Sequence, residues 1–122
     1  KEIKVVLVTG SRDWTRQDII FNALQEHLGD HVLGIVRHGG CPTGADKMAD
    51  NWVALQPGIA VDLVPANWHG LGRRAGPIRN KQMVNLGADI CLAFPLGESR
   101  GTRGCMRLAK EAGIEVLDYG MD

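Results

Sequence analysis

The chain lacks a net charge: among its 122 residues, 14 lysines and arginines stand against 14 aspartates and glutamates. A protein that grips a nucleic-acid backbone carries a strongly basic footprint, so this balance speaks against nucleic acid and for a small-molecule partner. Cysteine is scarce as well. Cys41, Cys91 and Cys105 are odd in number and show no CxxC spacing, and Cys91 falls inside an apolar strand pattern. Neither a disulfide framework nor a structural zinc site is indicated, and a reducing, cytoplasmic setting fits. No apolar run approaches the roughly 20 residues of a membrane span, and no charged-then-apolar leader opens the chain, so no membrane partner is expected. No internal duplication is present, and residues 1–122 read as one domain.

Strand and helix patterns alternate five times. Ile3 to Thr9 is a β-branched run suited to a strand covered on both faces, and it ends in Gly10-Ser11-Arg12-Asp13. Thr15 with Asp18 resembles a capping box before the helical face of Ile20, Leu24 and Leu28. A second strand is expected over 32–37, a second helix over 44–56 and a third strand over 60–64. A long irregular stretch, 65–76, precedes a helix from Pro77 to Leu86 and a strand from Ala88 to Phe94. After a loop ending at Gly104, the last helix shows its apolar face from Cys105, and Glu115 to Leu117 closes the sheet. This alternation predicts a Rossmann-like, three-layer α/β domain with a five-stranded parallel sheet in the order 3-2-1-4-5.

In such a sheet, ligands collect outside the carboxyl ends of the strands, where this chain keeps its glycines. Val36 to Met48 reads VRHGGCPTGADKM, with Gly39, Gly40 and Gly44 opening a helix whose N-terminal N–H groups suit a phosphate. Gly10, Ser11 and Arg12 follow strand one, and Gly101, Thr102, Arg103 and Gly104 follow strand four. Arg12, Arg79 and Arg103 fall in the first βα turn or at the opening of a helix, where the dipole makes a cation unwelcome without an anion, whereas Arg73, Arg74 and Arg100 taken singly read as solvated charges. Asp46 either complements its helix dipole or accepts from a ribose hydroxyl. Ser11 and Thr102 suit caps or phosphate contacts, and Asn80 could cap, orient Arg79 or touch a ligand. Trp52 reads as core, while Trp14 and Trp68 could stack on a base or pack on the loops. His38 and His69 flank the pocket, with hydrogen bonding favoured over metal binding, and no metal or cofactor is implied. Cys41 is a poor match for a catalytic nucleophile.

The set Gly10-Ser11-Arg12, Gly40-x-x-x-Gly44-Ala45-Asp46, Ala75-Gly76-x-x-Arg79-Asn80-x-x-Met83 and Gly101-Thr102-x-Gly104 resembles the YspA-type, cpYpsA-related branch of the SLOG superfamily. The superfamily includes the Lonely Guy phosphoribohydrolases and the DprA proteins. The resemblance implies a Rossmann-like fold that binds a nucleotide-derived ligand, either a nucleoside phosphate or an ADP-ribose-like molecule, and a homodimer. It also implies an alternative, release of a base from a ribose phosphate by a nucleotide N-glycosidase. Arg79 is similar to the phosphoribohydrolases' catalytic arginine. Their catalytic glutamate, three residues after the threonine, is replaced here by Cys105, which removes the group suited to a cationic sugar, with Glu98 the possible substitute.

Overall fold

Seven residues, Lys4–Gly10, form β1, and its side chains alternate between the two faces of the sheet: Val6 and Val8 join one buried cluster and Leu7 the other. A strand buried on both faces needs a strand at each edge and helices above and below. The computed structural model, which describes residues 3–30 and 33–121, supplies both. β1 pairs in parallel with β2 (Gly34–His38) on one side and β4 (Ile90–Phe94) on the other, while β3 (Ile59–Leu63) and β5 (Val116–Asp118) form the edges. The strand order is 3-2-1-4-5, as expected from the alternation.

Helices α1 (Gln17–Leu28) and α2 (Gly44–Val53) cover one face, where Ile20, Leu24, Leu28, Ala49 and Trp52 meet Val6, Val8, Val36 and Leu92. Helices α4 (Ala75–Asn85) and α5 (Arg100–Glu111) cover the other, where Met83, Val84, Cys105 and Ala109 meet Leu7 and Cys91. Each large aliphatic side chain in these layers contributes about 1.5–3 kcal/mol by burial. The result is the three-layer α/β architecture. Among the described residues, no helix is long and apolar enough to cross a membrane.

Several boundaries differ from expectation. The strand expected to start at Val32 has its first residue outside the described range, and the described part of β2 begins at Gly34. α1 starts at Gln17, so Asp18 sits too early to close a capping box with Thr15 and instead takes the Arg16 guanidinium at 2.8 and 3.0 Å. The stretch 65–76 is not irregular: it holds α3 (Trp68–Leu71) and a 3-10 turn, Gly72–Arg74, and α4 then begins at Ala75 rather than Pro77. Pro77 remains within the first turn, where no N–H is needed. α5 begins at Arg100 rather than near Cys105, so Gly101 and Gly104 are helical residues and not loop residues. β5 is shifted by one residue, to Val116–Asp118.

From β1 the chain runs to β2 and β3 on one side, then returns to build β4 and β5 on the other. The loops leaving β1 and β4 therefore diverge and leave a crevice between them.

Candidate functional site

That crevice opens into a cavity of about 910 Å³ above the carboxyl ends of β1, β2 and β4. Its size suits a small-molecule ligand. Gly10, Ser11 and Arg12 line it from β1, Gly39 and Gly40 from β2, Asp46 from α2, Arg79 and Asn80 from α4, and Gly101 and Thr102 from α5. These ten expected residues converge. Gly44, Arg103 and Gly104 do not line the cavity, and neither does Glu98.

The β1 loop is fixed by its own backbone. Ser11 N–H donates to Phe94 O at 3.0 Å, and Ser11 O accepts from Ala45 N–H at 3.1 Å and Trp14 N–H at 3.2 Å. Ser11 Oγ accepts from Asp13 N–H at 3.0 Å, which closes the turn. The Ser11 carbonyl thus occupies an N–H of α2's first turn, and Thr43 Oγ1 donates to Arg12 O at 3.0 Å beside it. At the start of α2, where a phosphate seat is expected, the Ala45 N–H is therefore already taken by the protein.

α5 is different. Its preceding residue, Ser99, sits in the left-handed region at φ 41° and makes no side-chain cap bond. The earliest bond across this turn is Arg103 N–H to Ser99 O at 2.9 Å, so the N–H groups of Arg100, Gly101 and Thr102 precede the hydrogen-bonded part of the helix. Ser99, Arg100, Gly101 and Thr102 all line the cavity, and nothing lies within 4 Å of where a Gly101 Cβ would stand. The positive end of this helix therefore faces open space, with Arg100 beside it.

The glycines of the β2 loop have another purpose. A Cβ on Gly39 would fall 2.0 Å from Arg79 Nη1, so this glycine leaves room for the arginine. Arg79 Nη1 donates to Gly39 O and Nε to Asn80 Oδ1, both at 2.9 Å, and Asn80 Nδ2 donates to Gly101 O at 3.2 Å. One arginine and one buried asparagine thereby join the loop after β2 to α4 and α5. Of the roles open to Asn80, orienting Arg79 is the one the geometry displays.

Behind this loop lies His38, fully buried. Its Nδ1 accepts from Gly40 N–H at 2.9 Å, which leaves Nε2 to donate to Asp50 Oδ1 at 2.5 Å. The ring is a hydrogen-bonding support for the loop. His69 is exposed on α3 and does not line the cavity.

Asp46 sits in the first turn of α2, 8% exposed, with Oδ2 accepting from Cys41 N–H at 3.1 Å. Burial pushes its carboxyl above the ordinary aspartate range, against the opposing pull of His38, the Cys41 N–H and Arg79. The carboxyl thus holds its proton more tightly folded than unfolded. Stability falls as pH rises from the unfolded to the folded pKa, and the cost is complete above it. Asp46→Asn is accordingly expected to raise the thermal midpoint at neutral pH, by an amount that shrinks as pH falls toward the ordinary aspartate range. A melting series that shows a lower midpoint for the variant at neutral pH would contradict this.

Cys105, at the position of the missing glutamate, is fully buried and outside the cavity lining. Burial raises its thiol pKa, opposed by a hydrogen bond with Thr9, so it brings no negative charge to the site. Glu98 lies on the rim, its side chain 84% exposed and its Oε1 3.8 Å from Arg100 Nε. Arg103 turns away to donate to Gly97 O at 2.7 Å and Glu98 O at 3.0 Å, which braces the β4–α5 loop. Its guanidinium is satisfied by two neutral carbonyl oxygens rather than by an anion.

Among the tryptophans, Trp14 packs edge-on against Phe94 with ring centroids 5.5 Å apart, and Trp52 is core. Trp68 is 59% exposed, lines the cavity and lies against Gly76, where a Cβ would come within 3.2 Å of its ring. Arg100, read singly as solvated, lines the cavity, as do Asp13, Cys41 and Pro42. The Gly-rich composition marked Cys41 and Pro42, but nothing local marked Arg100. Among the described residues, no cluster of His, Cys, Asp and Glu is arranged to hold a metal ion.

Sequence comparison bears on the same loops. The profile of the YspA, cpYpsA-related SLOG family matches residues 4–70, which spans the β1 and β2 loops and Asp46. The gene 61 protein of Mycobacterium phage D29 is 48% identical over 120 residues, covering 94% of this chain and 95% of that one. Among solved structures, the C-terminal domain of a Pyrococcus furiosus hydrogenase aligns with 98% of this chain and 95% of that one, with a TM-score of 0.48 and 17% identity.

Proposed function

The chain belongs to the YspA, cpYpsA-related SLOG family, and from that premise we propose that it binds a nucleotide-derived small molecule, a nucleoside phosphate or an ADP-ribose-like ligand, above the strand ends. The observation that carries this reading is the convergence of the turns after β1 and β2 with the uncapped start of α5 on one cavity that also receives Arg12, Arg79 and Arg100. A phosphate at α5 would take the N–H groups of Gly101 and Thr102 together with an arginine fork. The exposed Trp68 ring in the cavity lining offers a stacking surface for the base, worth about 1–3 kcal/mol.

The test is calorimetric titration with a panel of nucleoside 5′-monophosphates and ADP-ribose, with Trp68 as a second reporter. Trp14 and Trp52 are each 2% exposed, so a fluorescence change on binding belongs chiefly to Trp68 and should vanish in Trp68→Leu. Saturable binding with that change supports the reading. Heat without saturation across the panel rejects it.

A second reading, base release from a ribose phosphate, draws on Arg79 and Asp46, which share the cavity. It is weakened by the buried, uncharged Cys105 and by the rim position of Glu98. Chromatography of the same mixtures for free base and ribose 5-phosphate separates the two, and turnover would reverse the preference. The proposed setting is cytoplasmic and the proposed assembly a homodimer. The half-exposed Leu63 and the exposed Leu55 supply apolar surface for such pairing.

A further inference from the structure

Asp46 is a feature that phosphate recognition leaves unexplained. Its Oδ2 accepts from Cys41 N–H, the Gly39 N–H adds a further backbone contribution, and among the described residues no side chain donates a hydrogen bond to the carboxylate. Arg79 forms neither a hydrogen bond nor an ion pair with it; its Nε and Nη1 serve Asn80 and Gly39. A carboxylate this deeply buried has to receive hydrogen bonds once a ligand covers it and displaces water. A phosphate cannot supply them, since it brings charge of the same sign. Neutral O–H donors can, and a ribose presents two on adjacent carbons. With phosphate directed to the start of α5 and the base to the exposed rim at Trp68, the sugar is the part left to lie over the buried floor that Asp46 shares with Arg79 and Asn80.

We infer that Asp46 is a specificity-determining residue that accepts from the ribose hydroxyls, so that the cavity selects ribonucleotide-type over 2′-deoxyribonucleotide-type ligands. This rests on the nucleotide-binding reading above. It also accounts for the retention of a carboxylate whose burial opposes its own charge: two hydroxyl donors stabilise the ionised form that burial disfavours.

The experiment uses the whole chain with AMP, GMP, CMP and UMP, each paired with its 2′-deoxy counterpart, titrated at one ionic strength. The best-bound ribonucleotide is expected to bind about 10- to 100-fold tighter than its 2′-deoxy partner, the range for hydrogen bonds to a charged acceptor. In Asp46→Asn the ratio should collapse toward unity. Equal affinities of the two sugars for the unaltered protein would overturn the inference while leaving the nucleotide reading intact. A preference that survives undiminished in Asp46→Asn would overturn the assignment to this residue. If no nucleotide in either series binds, the underlying reading fails and the inference fails with it. Because the first comparison needs no variant, the inference is testable even where Asp46→Asn does not fold.

Discussion

Arg79→Ala is expected to weaken nucleotide binding by about 100-fold, the scale of losing one charge-assisted hydrogen bond of about 3 kcal/mol. Two losses combine. The cavity loses a guanidinium, and the walls lose the bridge from Gly39 O through Arg79 to Asn80 Oδ1. Without it Asn80 is no longer oriented toward Gly101 O, and the start of α5 is no longer coupled to the β2 loop. Each lost bond to a charged donor costs about 1.5–3 kcal/mol, so a drop in thermal stability should accompany the binding defect. Arg79→Lys should recover only part of the affinity, because a single ammonium cannot reproduce a fork that serves two fixed oxygens. Arg103→Ala is the control: its bonds go to Gly97 O and Glu98 O outside the cavity, and its effect on affinity should be far smaller. Calorimetry on the three variants, with circular dichroism to verify folding, checks the ordering. A folded Arg79→Ala protein that binds as tightly as the parent, or an Arg103→Ala protein that is the weaker of the two, would sink the assignment.

Much of the fold was legible because it depends on periodicity. Strands buried on both faces read as unbroken apolar runs, and Val6, Leu7 and Val8 are buried as their alternation requires. The convergence of loops was legible from topology, since parallel strands place all βα turns at one end. What could not be read were the partners of each loop residue. Arg12 and Arg103 look alike beside their helices, yet one lines the cavity and the other braces a loop from outside. His38 carries no local sign that Asp50, one turn beyond Asp46 on α2, would fix its tautomer. Gly101 and Gly104 disguised the first turn of α5, because glycine's poor helix propensity made helical positions read as loop. The same ambiguity affected the reading of glycines generally. Of those grouped as ligand-facing, Gly101 has open space where a side chain would be, whereas Gly10, Gly39 and Gly44 each face protein atoms within 2.4 Å.

Gly44→Ala is accordingly expected to act on folding and not on ligand access. At φ 72° an alanine incurs left-handed strain of about 1–2 kcal/mol. Its Cβ would also stand 2.3 Å from Ser11 O and 2.5 Å from Arg12 C. Both are backbone atoms of a loop held by Phe94 O and by Ala45 N–H, so neither can swing aside as a flexible side chain would. Overpacking against fixed atoms adds about 1–3 kcal/mol, and the combined loss of about 3 kcal/mol or more should lower the thermal midpoint by about 10 °C. Gly113 isolates the two contributions. It has a similar φ of 81° but nothing within 4 Å, so Gly113→Ala carries the conformational strain alone. Chemical denaturation of both variants should show Gly44→Ala as clearly the more damaging, with the excess measuring the clash. Equal losses at the two sites would mean that the β1 loop yields, and a loop that yields there could not hold Ser11 and Arg12 in register with the start of α5.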